Sequence, residues 1–99
     1  MTPAAIMSEK DPASILDYRI DWSAWLGADT IQTSTWTTPT GISAGDGSNG
    51  APAPSNTTTA ATIWLFGGSD GVEYSVTNKI VTAGGRTEER SLIIPVRHR

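Results

Sequence analysis

The sequence predicts an all-β domain of about seven strands folded as an antiparallel sandwich, and three observations carry that expectation. Fourteen of the 99 residues are threonine and ten are glycine. Threonine is β-branched and suits a pleated strand, whereas glycine marks turns. Good helix formers such as Leu, Glu, Lys and Gln are sparse. Turn signals recur about every ten residues, which is the spacing of strands in a sandwich.

At 99 residues the chain makes one domain with a thin core, because a domain of this size buries only about two-thirds of the surface its unfolded chain exposes. Residues 1–12 carry no hydrophobic period and read as an extended N-terminal arm, leaving 13–99 as the domain proper. In Leu16-Asp17-Tyr18-Arg19-Ile20-Asp21-Trp22, apolar and polar residues alternate strictly, the pattern of a half-buried strand. Ser23 to Gly27 makes a corner. Asp29 to Thr38 is a second strand anchored by Ile31 and Trp36. These anchors are five apart, so a bulge between them is needed to bring both to the core. Ile42-Ser43 starts a short strand. Residues 44–56 form a Gly/Pro-rich loop with no core-forming pattern.

Thr57 to Phe66 is the next strand. Ala61, Ile63 and Leu65 share one face, and Thr62, Trp64 and Phe66 the other. After the turn at Gly67–Gly71, Val72 to Thr82 places Val72, Tyr74, Val76, Asn78 and Ile80 on one face. Ala83-Gly84-Gly85-Arg86 closes a hairpin, and Thr87 to Val96 returns with Leu92, Ile94 and Val96 in phase. Pro95 lacks an N–H, so it belongs at a strand end or a sheet edge. A closing hairpin whose first strand opens on Tyr74, just after a glycine turn, suggests an immunoglobulin-like sandwich. There Tyr74 would act as a tyrosine corner, its hydroxyl bonded to upstream backbone.

Composition excludes several functions. The net charge is −3 and the pI about 4.8, with no basic stripe, so the electrostatic drive for nucleic-acid binding is missing. Arg86, Arg90, Arg97 and Arg99 collect toward the C-terminus, as a frayed basic tail or as a docking point for an acidic partner. The absence of cysteine rules out disulfides and thiolate chemistry. Residues 1–7 show no signal-peptide pattern, and the apolar runs Ile63–Phe66 and Leu92–Ile94 are far too short to span a bilayer. The expectation is a chain made in the cytoplasm, with no cofactor, metal or membrane.

Each letter-match to a catalytic or ligand site fails on geometry. His98 stands second from the end, where no fixed imidazole is available to a triad. Asp17 and Asp21 lie roughly 13 Å apart along a strand at ~3.3 Å per residue, outside the about 5–10 Å of glycosidase pairs. Gly45-Asp46-Gly47-Ser48-Asn49-Gly50 spells a dinucleotide fingerprint, but Ala51-Pro52-Ala53-Pro54 follows where a helix must start. The same stretch lacks the closing glutamate of a calcium loop, since Thr57 stands there. Asn56-Thr57-Thr58 is a glycosylation sequon that matters only in a secreted chain.

Four tryptophans remain to be placed. Trp22 and Trp36 read as core. Trp25 at the corner and Trp64 on the second face are candidates for an interface or a sugar-stacking platform, with cover for the second sheet as the plainer alternative. With the arm and the loop they give the candidate contact set: Ile6, Met7, Trp25, Asp46, Asn49, Pro52, Pro54, Trp64 and Phe66.

Two segments resemble a known family. Asp11-Pro12, then Leu16-Asp17-Tyr18 and Asp21-Trp22-Ser23 with Trp25-Leu26, follow the D-P-x-x-x-L-D-Y-x-x-D-W-S-x-W-L opening of a family of small tailed-phage proteins. Ile63-Trp64-Leu65-Phe66-Gly67-Gly68, Tyr74-Ser75-Val76-Thr77-Asn78 and Gly85-Arg86-Thr87-Glu88-Glu89-Arg90-Ser91 agree with its second half. Members are described as fiber-to-tail adaptors or virion structural proteins. The resemblance implies a non-enzymatic virion part, present in several copies in a symmetric assembly and bound to tail, collar, fiber or capsid proteins. An adaptor joining a fiber or spike to the tail or collar is the leading expectation. A decoration protein on the head and a carbohydrate-binding module are the alternatives.

Overall fold

A computed structural model describes residues 5–7 and 9–98. In chain order the elements are β1 (Ala5–Ile6), β2 (Ile15–Asp21), the single-turn α1 (Ser23–Leu26), β3 (Ile31–Thr37), β4 (Ile42–Ala44), β5 (Ser55–Asn56), β6 (Ala60–Gly67), β7 (Glu73–Thr82) and β8 (Thr87–Pro95). They form two sheets packed together. One has the order β1-β8-β7-β3, and the other the order β2-β6-β4 with β5 also on the β4 side of β6. All pairings are antiparallel except that of β1 with β8.

The core lies between the sheets and is built by strand alternation. β6 contributes Ala61, Ile63 and Leu65; β7 contributes Tyr74, Val76 and Ile80; β8 contributes Leu92 and Ile94, with Val96 just beyond. Trp22 is fully buried at the end of β2. Its indole Nε1 donates to Asn78 Oδ1 at 3.0 Å, and Asn78 Nδ2 donates to Ser34 Oγ at 2.9 Å and to Thr35 O at 3.0 Å. A polar side chain in the core is thereby satisfied, as burial requires. The bulge expected between Ile31 and Trp36 is present as a register shift between Ile31 and Thr33. It turns both anchors inward, although Trp36 is only half-buried. The Tyr74 hydroxyl accepts the Ser69 backbone N–H at 2.9 Å, five residues upstream, which is the bond expected of a corner tyrosine.

Four expectations are corrected. Val72 lies before the strand and is 41 % exposed, because β7 begins only at Glu73. Leu16 has the inward parity of β2 yet is 39 % exposed, since it stands at the start of a strand at the edge of its sheet. The segment 44–56 is not a featureless loop. Ala44 packs on the core, Ala51 is buried and Ser55–Asn56 pairs with β6. Nor do the basic residues form a frayed tail: Arg86 and Arg90 stack on tryptophans and Arg97 pairs with Glu9 at 3.5 Å. Arg99 lies outside the described residues.

Candidate partner-binding surfaces

The expected contact residues occupy three separate places. The first is the sheet edge formed by the arm. β1 runs beside β8 with Ile6 opposite Ile93, and Met7 N–H donates to Ile93 O at 2.9 Å. Ile6 is 74 % exposed, the highest value among the large apolar residues described, whereas Met7 packs against the core. The arm is fixed where Lys10 enters the sandwich. Lys10 is fully buried, and its Nζ donates to Gly67 O and Asp11 O, both at 2.9 Å. Its backbone bridges Pro95 and Arg97. Burial pushes its pKa below the ordinary lysine value, with Asp11 acting in the opposite sense. Met1–Ala4 and Ser8 of the expected arm lie outside the described residues.

The second place is the corner at α1. Trp25 is half-buried and meets Trp22 edge-on, with ring centroids 5.5 Å apart. The Arg86 guanidinium lies 4.2 Å above the Trp25 ring, and Arg90 lies 4.3 Å above that of Trp22. Arg86 also donates to Leu26 O at 2.9 Å and to Asp29 Oδ2 at 3.1 Å. Asp29 accepts the N–H groups of Thr30 and Gly84 as well. The Thr82 hydroxyl, then the Thr30 N–H, with Gly84 and Arg86 adding to them, hold the Asp29 carboxyl down from 3.8 to about 2. Trp25 is therefore one layer of a clamp joining the corner to the β7–β8 hairpin. Sequence reading gave no role to Asp29 and Lys10, and took Arg86 and Arg90 for a tail or docking point rather than for these stacks. The stacked guanidinium groups and the Gly67 carbonyl that holds Lys10 come from strands distant in the chain from their partners, and no local pattern announces them.

The third place gathers six of the nine residues on the β6 side of the molecule. β4 and β5 are two halves of one edge strand. Ala44 stands opposite Leu65 and Ser55 opposite Thr62, so the ten residues between them on one side match two on the other, an excess of eight. The excess projects as a built loop. Gly45 N–H donates to Trp64 O, and Gly47 N–H to Ala51 O, both at 2.9 Å. Asp46 Oδ1 accepts the Ser48 N–H at 2.8 Å and its hydroxyl at 2.9 Å, which lowers the Asp46 pKa. Asn49 bonds to Asp46 N and Ala44 O. Gly45 has no room for a side chain: a Cβ there would lie 2.2 Å from Pro52 O. Asp46, Asn49, Pro52 and Pro54 are left exposed.

Beside the loop, on the outward face of β6, lie Trp64 and Phe66, both half-buried. Ile15 stands opposite Phe66, and Asp17 opposite Trp64. Loop, aromatic pair and Ile15 thus form one mixed polar and apolar surface of the kind that takes part in protein interfaces. Among the described residues no group of His, Cys, Asp and Glu could hold a metal ion, and no helix is long and apolar enough to cross a membrane.

Comparison with curated proteins gives no match. Comparison with protein families gives the podophage GP4 fiber-tail adaptor protein gp77, matched over residues 10–95. The match begins at the buried Lys10 and ends at the last residue of β8, so it covers every strand except β1. The chain belongs to this family of podophage fiber-tail adaptors: it is a structural protein of the virion tail that binds other virion proteins, and it is not an enzyme.

Proposed function

We propose that several copies of this chain stand in a symmetric tail assembly and that each meets other virion proteins through the insertion between β4 and β5 together with Trp64, Phe66 and Ile15. One observation carries the reading: the insertion is held by its own hydrogen bonds before any partner arrives. A pre-organised loop loses little conformational entropy on binding. Ile6 at the arm edge supplies a second contact, and the arm preceding the buried Lys10 is the part separable from the sandwich. The strand orders β1-β8-β7-β3 and β2-β6-β4, with the bonded Tyr74 hydroxyl, support an immunoglobulin-like description of the scaffold.

The test removes the loop without breaking the sheet. Deleting residues 46–53 takes out the eight-residue excess and joins Gly45 to Pro54. In the shortened register Pro54 falls at a position whose missing N–H points away from β6, where proline is tolerated. The variant is expected to fold, by circular dichroism, and to be lost from purified particles or to leave them without fibers. Wild-type incorporation with fibers attached would contradict the assignment.

A further inference from the structure

An unpaired sheet edge is a template for another strand, and proteins blunt such edges with short strands, bulges, prolines or lysines. Three of the four edges here are blunted. One sheet ends in the two-residue β1 on one side. On its other side it ends in β3, whose bulge lies at Ile31/Thr33 and whose Ile31 N–H is taken by Thr58 O. The β4–β5 edge is split by the insertion. β2 carries charged side chains, Asp17, Arg19 and Asp21, but no device that interrupts its backbone: its seven residues stand in unbroken register against β6, without proline, bulge or lysine.

The direction of its backbone groups follows from one bond. Trp22 N–H donates to Thr59 O at 2.8 Å. In an antiparallel ladder, successive residues turn their N–H and C=O alternately toward and away from the partner. Leu16, Tyr18 and Ile20 therefore face β6, and Ile15, Asp17, Arg19 and Asp21 face outward. Arg90 Nη1 approaches Asp21 O at 3.4 Å. Among the described residues no other hydrogen bond reaches these outward groups. Two of the four large apolar side chains left exposed, Ile15 and Leu16, stand on this same strand.

The charges along the edge are complementary to themselves. When two β2 strands run antiparallel about Tyr18, Asp17 of each stands opposite Arg19 of the other, and every outward-facing position meets an outward-facing one. Moving the register by one repeat of the ladder sets Asp17 against Asp17, or Arg19 against Arg19 with Asp17 against Asp21. Like charges directly opposite are unfavourable, so one register stands apart. We propose that the free edge of β2 is a docking surface for a second copy of this chain, joined by a two-fold antiparallel strand pair centred on Tyr18. Asp17 and Arg19 exchange four backbone hydrogen bonds across the axis and form two carboxylate–guanidinium pairs, and the two β2-β6-β4 sheets become one. Such an interface is isologous and closes at two copies. A pair of seven-residue strands is small against the ~1,200–2,000 Å² of stable complexes, so pairing is weak and its population follows concentration.

Sedimentation of the free chain from about 10 μM to about 1 mM, the range in which weak interfaces populate, tests the pairing without particles. Its failure therefore leaves the adaptor role untouched. The wild type is expected to pass reversibly from monomer to dimer. Asp17→Arg and Arg19→Asp, both at exposed positions, should each stay monomeric. Mixed one to one, they should form a heterodimer, because each carries the charge the other lacks. Asp17→Pro, which removes an outward N–H and no internal bond, should remain folded and monomeric. A wild type that stays monomeric throughout, or single reversals that associate like the wild type, overturns the proposal. So does a monomeric wild type whose Asp17→Pro variant fails to enter particles, since the edge then serves a different virion protein.

Discussion

Three residues show how the sandwich is locked. Trp22 fills the core and satisfies Asn78. Trp22→Phe removes the donor, leaves a buried amide oxygen unpaired and opens a small cavity, for an expected loss of about 2–4 kcal/mol in chemical denaturation. Tyr74→Phe frees the Ser69 N–H at a partly buried turn, for about 1 kcal/mol. Asp29 gives the molecule an acid limit. Its folded pKa lies near 2, against 3.8 ordinarily, so its contribution to stability is fully present above about 3.8 and disappears as the pH falls toward 2. Asp21 and Asp46 are also shifted downward, by backbone and hydroxyl donors of Ser23 and Ser48, and act in the same direction. Asp29→Asn should lower stability at neutral pH and flatten its acid slope between about pH 4 and 2, measured by denaturation midpoints across that range. An unchanged slope would assign the acid limit to other groups.

The elements divide into those that sequence period dictates and those that long-range contacts decide. The strands around Ile63 and Val76, the bulge after Ile31 and the corner role of Tyr74 were legible, because alternation and a parity break are local signals. The insertion was visible only as glycine and proline content. Its two strand segments and its hydrogen-bonded turn depend on β6, which a low-complexity reading does not see. The arm was read as featureless because a parallel edge strand of two residues has no period. Its fixed point, Lys10, even reads as a surface residue until Gly67 O is placed beside it. Lys10→Ala is expected to free this segment. Hydrogen exchange at the Met7 and Lys10 amides should accelerate toward unprotected rates while Val76 and Ile80 stay protected. Retained protection at Met7 would show that β1 holds by its own ladder bonds.

For the whole molecule, the fold supplies a rigid body whose contacts lie at its margins. The two stacked arginine–tryptophan pairs close one end, and Trp25 is held there between Trp22 and Arg86. In the proposed account, the insertion and the outward face of β6 meet partners, and the edge of β2 meets a copy of the chain. The sequence resemblance and the family match agree on the tail, and neither the head nor a sugar platform gains an observation of its own. Composition could not have revealed this, because an acidic, threonine-rich sandwich is compatible with many roles; the motif from Asp11 to Leu26 carried it. The most direct measurement is a reconstruction of the intact particle at a resolution that traces side chains. The expected density places this chain between tail and fiber, with Asp46, Asn49, Pro52 and Trp64 against another protein. Density on the head shell, or a tail subunit whose insertion points into solvent, would contradict the account.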